Sequence, residues 1–159
     1  KGFKMPRYPY PTLPPDVTIS VLSAVDDELV SAFQVLMPQL NPILPAPDAS
    51  ALAAILSSPA VSLLAARLEG RIVGVLTLAV FPAPTGIRAW VEDVVVDQAA
   101  RGRGIGEALT RWALALAAER SAKSVELTSR PARAAANRLY QRLGFIQPQT
   151  NYYRYPFTE

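Results

Sequence analysis

Apolar and polar residues alternate from Val17 to Val21, the period-two pattern of a first strand. Asp26 and Asp27 then open a helical stretch reaching about Met37, with acids in the first turn, where a helix carries partial positive charge. Pro38, Pro42, Pro45 and Pro47 predict a loop, because proline lacks the N–H that a helix interior needs. Asp48 caps a short Ala/Leu helix ending near Ser57. Residues 62–68 and 72–81 read as strands joined through Glu69-Gly70, a hairpin signal. A further strand covers 89–96, and a helix covers 104–121 with Ile105, Leu109, Trp112 and Leu116 on one stripe. Residues 124–128 read as a strand. Residues 131–143 read as a helix with proline at its start and Gly144 where a left-handed cap belongs. A last strand is expected over 152–157, and Trp90 and Trp112 are expected to pack in the core.

Strands and helices mixed in this order argue for an α/β sheet covered on both faces. Residues 1–15 stand apart: five prolines with Tyr8 and Tyr10 between them predict an extended arm. The expected organisation is therefore this arm over 1–15 and a single domain over 16–159. The 159 residues, half of them apolar, suit one domain with a substantial core. No apolar run reaches the roughly 18 residues of a membrane span, and the first residues lack a secretory pattern, so a cytoplasmic location is expected.

Composition removes several chemistries. With no cysteine there is no disulfide, thiolate metal site or cysteine nucleophile, and with no histidine the usual general base is missing. Proton transfer must fall to Asp, Glu, Tyr, Lys or a chain terminus. The net charge of +3 is unevenly spread: residues 101–142 hold nine Lys/Arg against three Glu, so the rest of the chain is net negative. Such an excess suits a phosphate-bearing partner, although arginines also simply solvate helix faces.

The segment 91–106 joins a strand of Val91, Glu92, Asp93, Val94, Val95 and Val96 to a loop rich in Gly and Arg and then to a helix. Glycines let backbone N–H groups approach a ligand closely, and a helix start favours anions, so the loop is a candidate phosphate cradle. Two other cradles fail on spacing. A Walker loop needs Lys-Ser/Thr where Glu107-Ala108 stand, and a dinucleotide fingerprint needs glycine where Glu107 or Leu109 stand.

Arg101, Gly104 and Gly106 do fit R-x-x-G-x-G, and Ala135, Asn137, Tyr140, Gly144 and Phe145 fit A-x-N-x-x-Y-x-x-x-G-F. Together they resemble the GNAT superfamily of acetyl-CoA-dependent N-acetyltransferases. The resemblance covers about 90–157; residues 17–81 agree in element order alone, and the arm does not match. It implies a mixed, mostly antiparallel sheet with helices on both faces and direct acetyl transfer to an amine in a ternary complex. It implies acetyl-CoA with its pyrophosphate on Arg101, Gly102, Arg103, Gly104, Ile105 and Gly106. The pantetheine arm would run along Val94, Val95 and Val96, where a strand bulge frees donors. Asn137 would contact the cofactor arm, and Tyr140 would contact it and protonate the leaving thiolate. The helix at 26–37 and the loop at 38–47 occupy the stretch that shapes the acceptor pocket. The partner expected is a small-molecule amine or a peptide amine, with a homodimer allowed for and with no nucleic acid, membrane or metal.

The chemistry supplies its own reasons for two roles. An amine protonated at neutral pH must lose a proton before it attacks, and a thiolate leaves better when an acid protonates it. Asn137 and Tyr140 share a helix face, flanking Ala136, Leu139 and Leu143, so Tyr140 also reads as a half-buried packing residue. Strand alternation puts Glu92 with Trp90 and Val94, and Asp93 with Val91 and Val95, with at least one acid under cover. Acids at this point resemble those of the polyamine and glucosamine-phosphate branches, where a Glu acts as base. Glu92 is therefore the candidate base, with Asp93 or a water chain as the alternatives, and Asp93 is also a candidate substrate contact; a salt bridge to an arginine such as Arg88 is the structural alternative. Two rival functions share parts of this pattern. A non-catalytic acetyl-CoA sensor or scaffold needs the loop but neither Glu92 nor Tyr140, and a nucleic-acid binder would use the basic segment.

Overall fold

The computed structural model describes residues 8–157. By contacts the chain divides into two compact units, Lys1–Thr128 and Ser129–Glu159.

The first unit is built on five strands: β1 (Val17–Val21), β2 (Val61–Leu68), β3 (Arg71–Ala83), β4 (Gly86–Val96) and β5 (Val125–Glu126). They lie in the order β1-β2-β3-β4-β5; the first three pairings are antiparallel and β4–β5 is parallel. Helices α1 (Asp27–Leu40), α2 (Ala49–Ser57) and α3 (Ile105–Glu119) complete the unit. The runs Ser62–Leu63–Leu64–Ala65–Ala66 and Val73–Gly74–Val75–Leu76 are buried without interruption because both faces are covered. One core joins Leu64, Leu76, Leu78 and Val91 to Ile105, Leu109, Ala113 and Leu116 of α3. The other joins Leu63, Val75 and Val95 to Leu29, Phe33 and Leu36 of α1 and Leu52 of α2. This is the expected mixed sheet with helices on both faces.

Local chemistry explains most element ends. Asp26 Oδ1 accepts from Leu29 N at 2.8 Å to cap α1, and Asp48 Oδ1 accepts from Ala51 N at 2.8 Å to cap α2. The helix α1 runs past the expected stop at Met37. Pro38 costs it one donor, yet Asn41 N still donates to Met37 O at 2.8 Å, so the final turn closes. Strands β3 and β4 extend further than expected, into a hairpin that pairs Ala83 with Gly86. Trp112 packs partly buried on the α3 core, whereas Trp90 belongs to neither core. Among the described residues no helix is long and apolar enough to cross a membrane.

The arm over 8–14 has no regular secondary structure, as its prolines dictate; residues 1–7 of the expected arm lie outside the described residues. It docks on α3. The Tyr10 ring meets Trp112 at 4.7 Å, its hydroxyl donates to Glu119 Oε2 at 2.6 Å, and Leu13 packs on the core. Partial burial, and then the hydrogen bond to the Glu119 carboxylate, push the Tyr10 phenol from 10.0 up to about 12. The raised value favours the neutral phenol in the folded state. Its contribution is thus whole below pH 10.0 and is lost as pH rises through about 12. Tyr10→Ala is expected to cost about 1 kcal/mol, seen at neutral pH as a melting temperature lower by about 2–4 °C.

The second unit holds α4 (Ala134–Arg142), which starts three residues after Pro131. Its end is the expected left-handed cap: Gly144 has φ 94°, its N–H donates to Gln141 O, and Phe145 N donates to Tyr140 O, both at 3.0 Å. The expected strand over 152–157 does not form. A strand needs a partner for its ladder and none pairs with this stretch among the described residues; Tyr153 and Phe157 are 84% and 93% exposed.

Candidate functional site

The strand β4 carries the site because its ladder breaks twice. Against β3, Thr77 pairs with Glu92 and Val75 with Val95, so three steps on β4 oppose two on β3. This is a β-bulge, and Asp93 takes it up with φ 52°, in the left-handed region that a non-glycine residue enters at a cost. The bulge reverses the facing of the strand. Val91 lies in the α3 core and Val95 in the α1/α2 core, although simple alternation would put them on one side. Neither Glu92 nor Asp93 is covered as expected; both are exposed. They also do not point apart. Asp93 lines a cleft on the α1/α2 side, and Glu92 pairs across the ladder with Thr77, which lines the same cleft. The left-handed residue thus gathers two consecutive carboxylates on one face.

The second break is on the other edge. Strand β5 pairs with β4 at Ala89 and Trp90 alone, so from Val91 to Val96 that edge has no strand beside it among the described residues. Such an edge offers N–H and C=O groups to an extended ligand. Val94 and Val96 are partly buried on the α3 side and Val95 is buried opposite, so the side chains anchor the strand while its edge stays open.

The open edge leads directly into the glycine loop. Asp97 Oδ1 accepts from Ala99 N at 3.2 Å and starts a short 3-10 turn over Gln98–Ala100. The extra turn of α1 braces this entry, since Gln39 Oε1 accepts from Gln98 N at 2.8 Å. Arg101 folds back, its Nε donating to Val96 O at 3.1 Å. Gly102 and Gly104 have φ of 78° and 74°, a conformation that glycine adopts freely. Gly104 is the N-cap of α3 and supplies no side-chain cap to the helix start. Arg101, Gly102, Arg103 and Gly104 are exposed, Gly106 is partly buried, and Ile105 is buried to 2%, pinning the helix start to the core. Left-handed glycines, an uncapped helix start and an adjoining open strand edge fit a pyrophosphate followed by an extended arm.

The cleft beside Asp93 has a volume of about 560 Å³. It draws on α1 (Phe33, Met37), the proline loop (Pro45, Ala46, Pro47), α2 (Asp48, Ala51, Ile55) and the sheet (Leu63, Val75, Thr77). Glu92 Oε1 accepts from Trp90 Nε1 at 2.6 Å, a hydrogen bond not foreseen in the sequence. Arg88 does not pair with either acid of the bulge; it faces Glu126 at 3.8 Å.

In the second unit, Asn137 Nδ2 donates to Arg130 O at 3.0 Å and ties the loop ahead of α4 to the helix. Tyr140 meets Phe145 edge-on at 5.6 Å, so the Gly144-Phe145 pair both closes the cap and holds the tyrosine ring. Burial, opposed by the nearby Arg133 charge, raises the Tyr140 phenol above its ordinary value, which keeps it a proton donor at neutral pH. Ser129 Oγ is buried with no hydrogen-bond partner among the described residues, a feature nothing in the sequence singled out.

The acetyltransferase (GNAT) family model matches residues 26–145. Among solved structures, the chain is similar to a putative acetyltransferase from Agrobacterium tumefaciens, at 26% identity and TM-score 0.77, over 87% of this chain and 99% of that one. A ribosomal-protein-alanine N-acetyltransferase from Brucella melitensis is 26% identical, with TM-score 0.73, over 89% and 99% of the two chains. An aminoglycoside acetyltransferase from an uncultured soil metagenomic sample shares the fold, with TM-score 0.78 at 21% identity, over 90% and 97%. No curated protein sequence matches the chain.

Proposed function

This chain belongs to the acetyltransferase (GNAT) family, and from that premise we propose that it moves an acetyl group from acetyl-CoA directly to a primary amine held in the cleft beside Asp93. The β4 bulge carries this reading. It gathers two carboxylates on the cleft face of the strand whose open edge leads into the glycine loop. The Brucella relative, an N-acetyltransferase by name, supports nitrogen as the accepting atom.

The residues divide the work as follows. Backbone N–H groups from Gly102 to Gly106 hold the pyrophosphate, and the edge of Val94, Val95 and Val96 pairs with the extended arm. The donor supplies an acetyl thioester. Asp93 receives the amine as a cation, and Glu92, oriented by Trp90, takes its proton through Oε2. Transfer forms one C–N bond and breaks one C–S bond. The ammonium gives up two protons on the way to the amide: Glu92 takes the first before attack, and the second, released from the acylated nitrogen, makes good the one that Tyr140 gives to the departing sulfur. With no cysteine in the chain, an acyl-cysteine intermediate has no residue to form on.

Thiol release from acetyl-CoA, followed across amines, amino sugars, amino acids and peptides, tests the reaction. Glu92→Gln keeps the shape and the tryptophan contact but removes the basic oxygen. The rate should fall about 10²–10⁴-fold and the low-pH limb of the rate profile should vanish, while CoA affinity stays near wild type. A wild-type profile in this variant assigns the proton to another group. Tight CoA binding without thiol release for any amine supports a sensor instead.

A further inference from the structure

The cleft's lining narrows the acceptor further, given the reading that this cleft receives the amine. Most of the walls are hydrocarbon, among them Phe33, Met37, Pro47, Ile55 and Val75. The polar side chains that line it are Thr77, Asp48 and Asp93, Glu92 lies on the same face of the sheet, and among the described residues no lysine or arginine lines the space. Asp48 is partly committed, since its Oδ1 caps α2 through Ala51 N at 2.8 Å. Asp93 is thus the carboxylate best placed to meet a cation.

Three exclusions follow from this chemistry. A free amino acid would bring a carboxylate towards Asp93 with no cation in the lining to receive it. A polyhydroxylated amino sugar needs hydrogen-bond partners for its many hydroxyls, and the hydrocarbon walls supply few. A peptide N-terminus carries amide groups that would lose water for the same few partners. An amine on an apolar body has no such unmet groups: its ammonium meets Asp93 and its hydrocarbon meets the walls. The volume of about 560 Å³ is in the range of small-molecule sites.

We infer that the acceptor is a small monoamine with an apolar body and no carboxylate, an alkylamine or arylalkylamine, oriented by Asp93 with its hydrocarbon against Phe33, Met37 and Ile55. The ammonium loses two protons and gains the acetyl group, as in the reaction above, so no further reactant is needed.

The experiment compares kcat/KM for thiol release with propylamine, butylamine, hexylamine, 2-phenylethylamine, phenylalanine, an aminoglycoside and a tripeptide amide. It pairs these rates with calorimetric binding of the same compounds to the full chain without donor. Each added methylene should raise kcat/KM roughly fourfold. Phenylethylamine should exceed phenylalanine by about 100-fold or more, because the added carboxylate finds no partner. Met37→Gln should flatten the chain-length gain, with hexylamine falling about five- to tenfold. A flat alkyl series, or a preference for the aminoglycoside, the amino acid or the peptide, overturns the inference and leaves acetyl transfer standing. If no amine releases thiol, the transfer reading falls and binding decides the cleft. Hexylamine binding more tightly than propylamine, with phenylalanine not binding, upholds the inference; equal or undetectable binding overturns it.

Discussion

Replacing Gly104 with valine is expected to weaken CoA binding by roughly 100-fold or more while the protein still folds. The added Cβ meets little: the nearest atom is Pro14 Cγ at 3.6 Å, an ordinary van der Waals contact. The cost arises in the backbone. At φ 74° an L-residue carries about 1–2 kcal/mol of strain, and a β-branched one is strongly disfavoured there. The fold tolerates that amount because Ile105, Leu109 and Ala113 keep α3 in the core. Relief of the strain changes the backbone at residue 104 and so reorients the N–H groups beside it. Hydrogen bonds to a charged group contribute about 1.5–3 kcal/mol each, so losing one or two accounts for the expected drop. Calorimetry with CoA and a thermal melt on the same variant separate the two effects. Wild-type affinity in a folded variant would move the pyrophosphate to some other part of the surface.

Tyr140→Phe removes one oxygen and leaves the ring that packs on Phe145, so stability should change little. If the hydroxyl protonates the leaving sulfur in the transition state, the maximal rate should fall about ten- to a thousandfold, with a far smaller change in CoA affinity. Burial favours this role by raising the phenol, so the proton is retained across neutral pH. In the wild type the activity that depends on this proton should persist above the ordinary tyrosine range and fall only as pH passes the raised value; in the Phe variant that alkaline limb should be missing. Full turnover with weaker binding would make Tyr140 a binding residue, and loss of fold would make it a packing residue.

Much of this protein was legible from local chemistry. Asp26 and Asp48 cap helices because a carboxylate next to a helical run satisfies free N–H groups, whatever surrounds it. Gly144 ends α4 and Gly102 and Gly104 shape the loop because a left-handed backbone selects glycine within a few residues of sequence. The mixed order of strands and helices already argued for a sheet covered on both faces, and the uninterrupted burial along β2 and β3 agrees with it. Other features depend on partners far along the chain. The bulge at Asp93 exists because β4 must pair with β3 on one side while Val91 and Val95 fill opposite cores. Alternation, a local rule, therefore sent Glu92 and Asp93 to opposite faces, and the ladder brought them together. The last turn of α1 survives Pro38 because one lost donor does not undo a helix packed by Leu29, Phe33 and Leu36, and that turn sets Gln39 at the entry to the glycine loop. The tyrosines of the tail have the residue types of a strand but no neighbouring edge among the described residues, and a ladder is a property of two segments. The cleft is the clearest case. Phe33, Met37, Ile55, Val75 and Asp93 come from four elements, and apolar side chains carry no sequence mark that separates a wall from a core until the fold leaves a space between them.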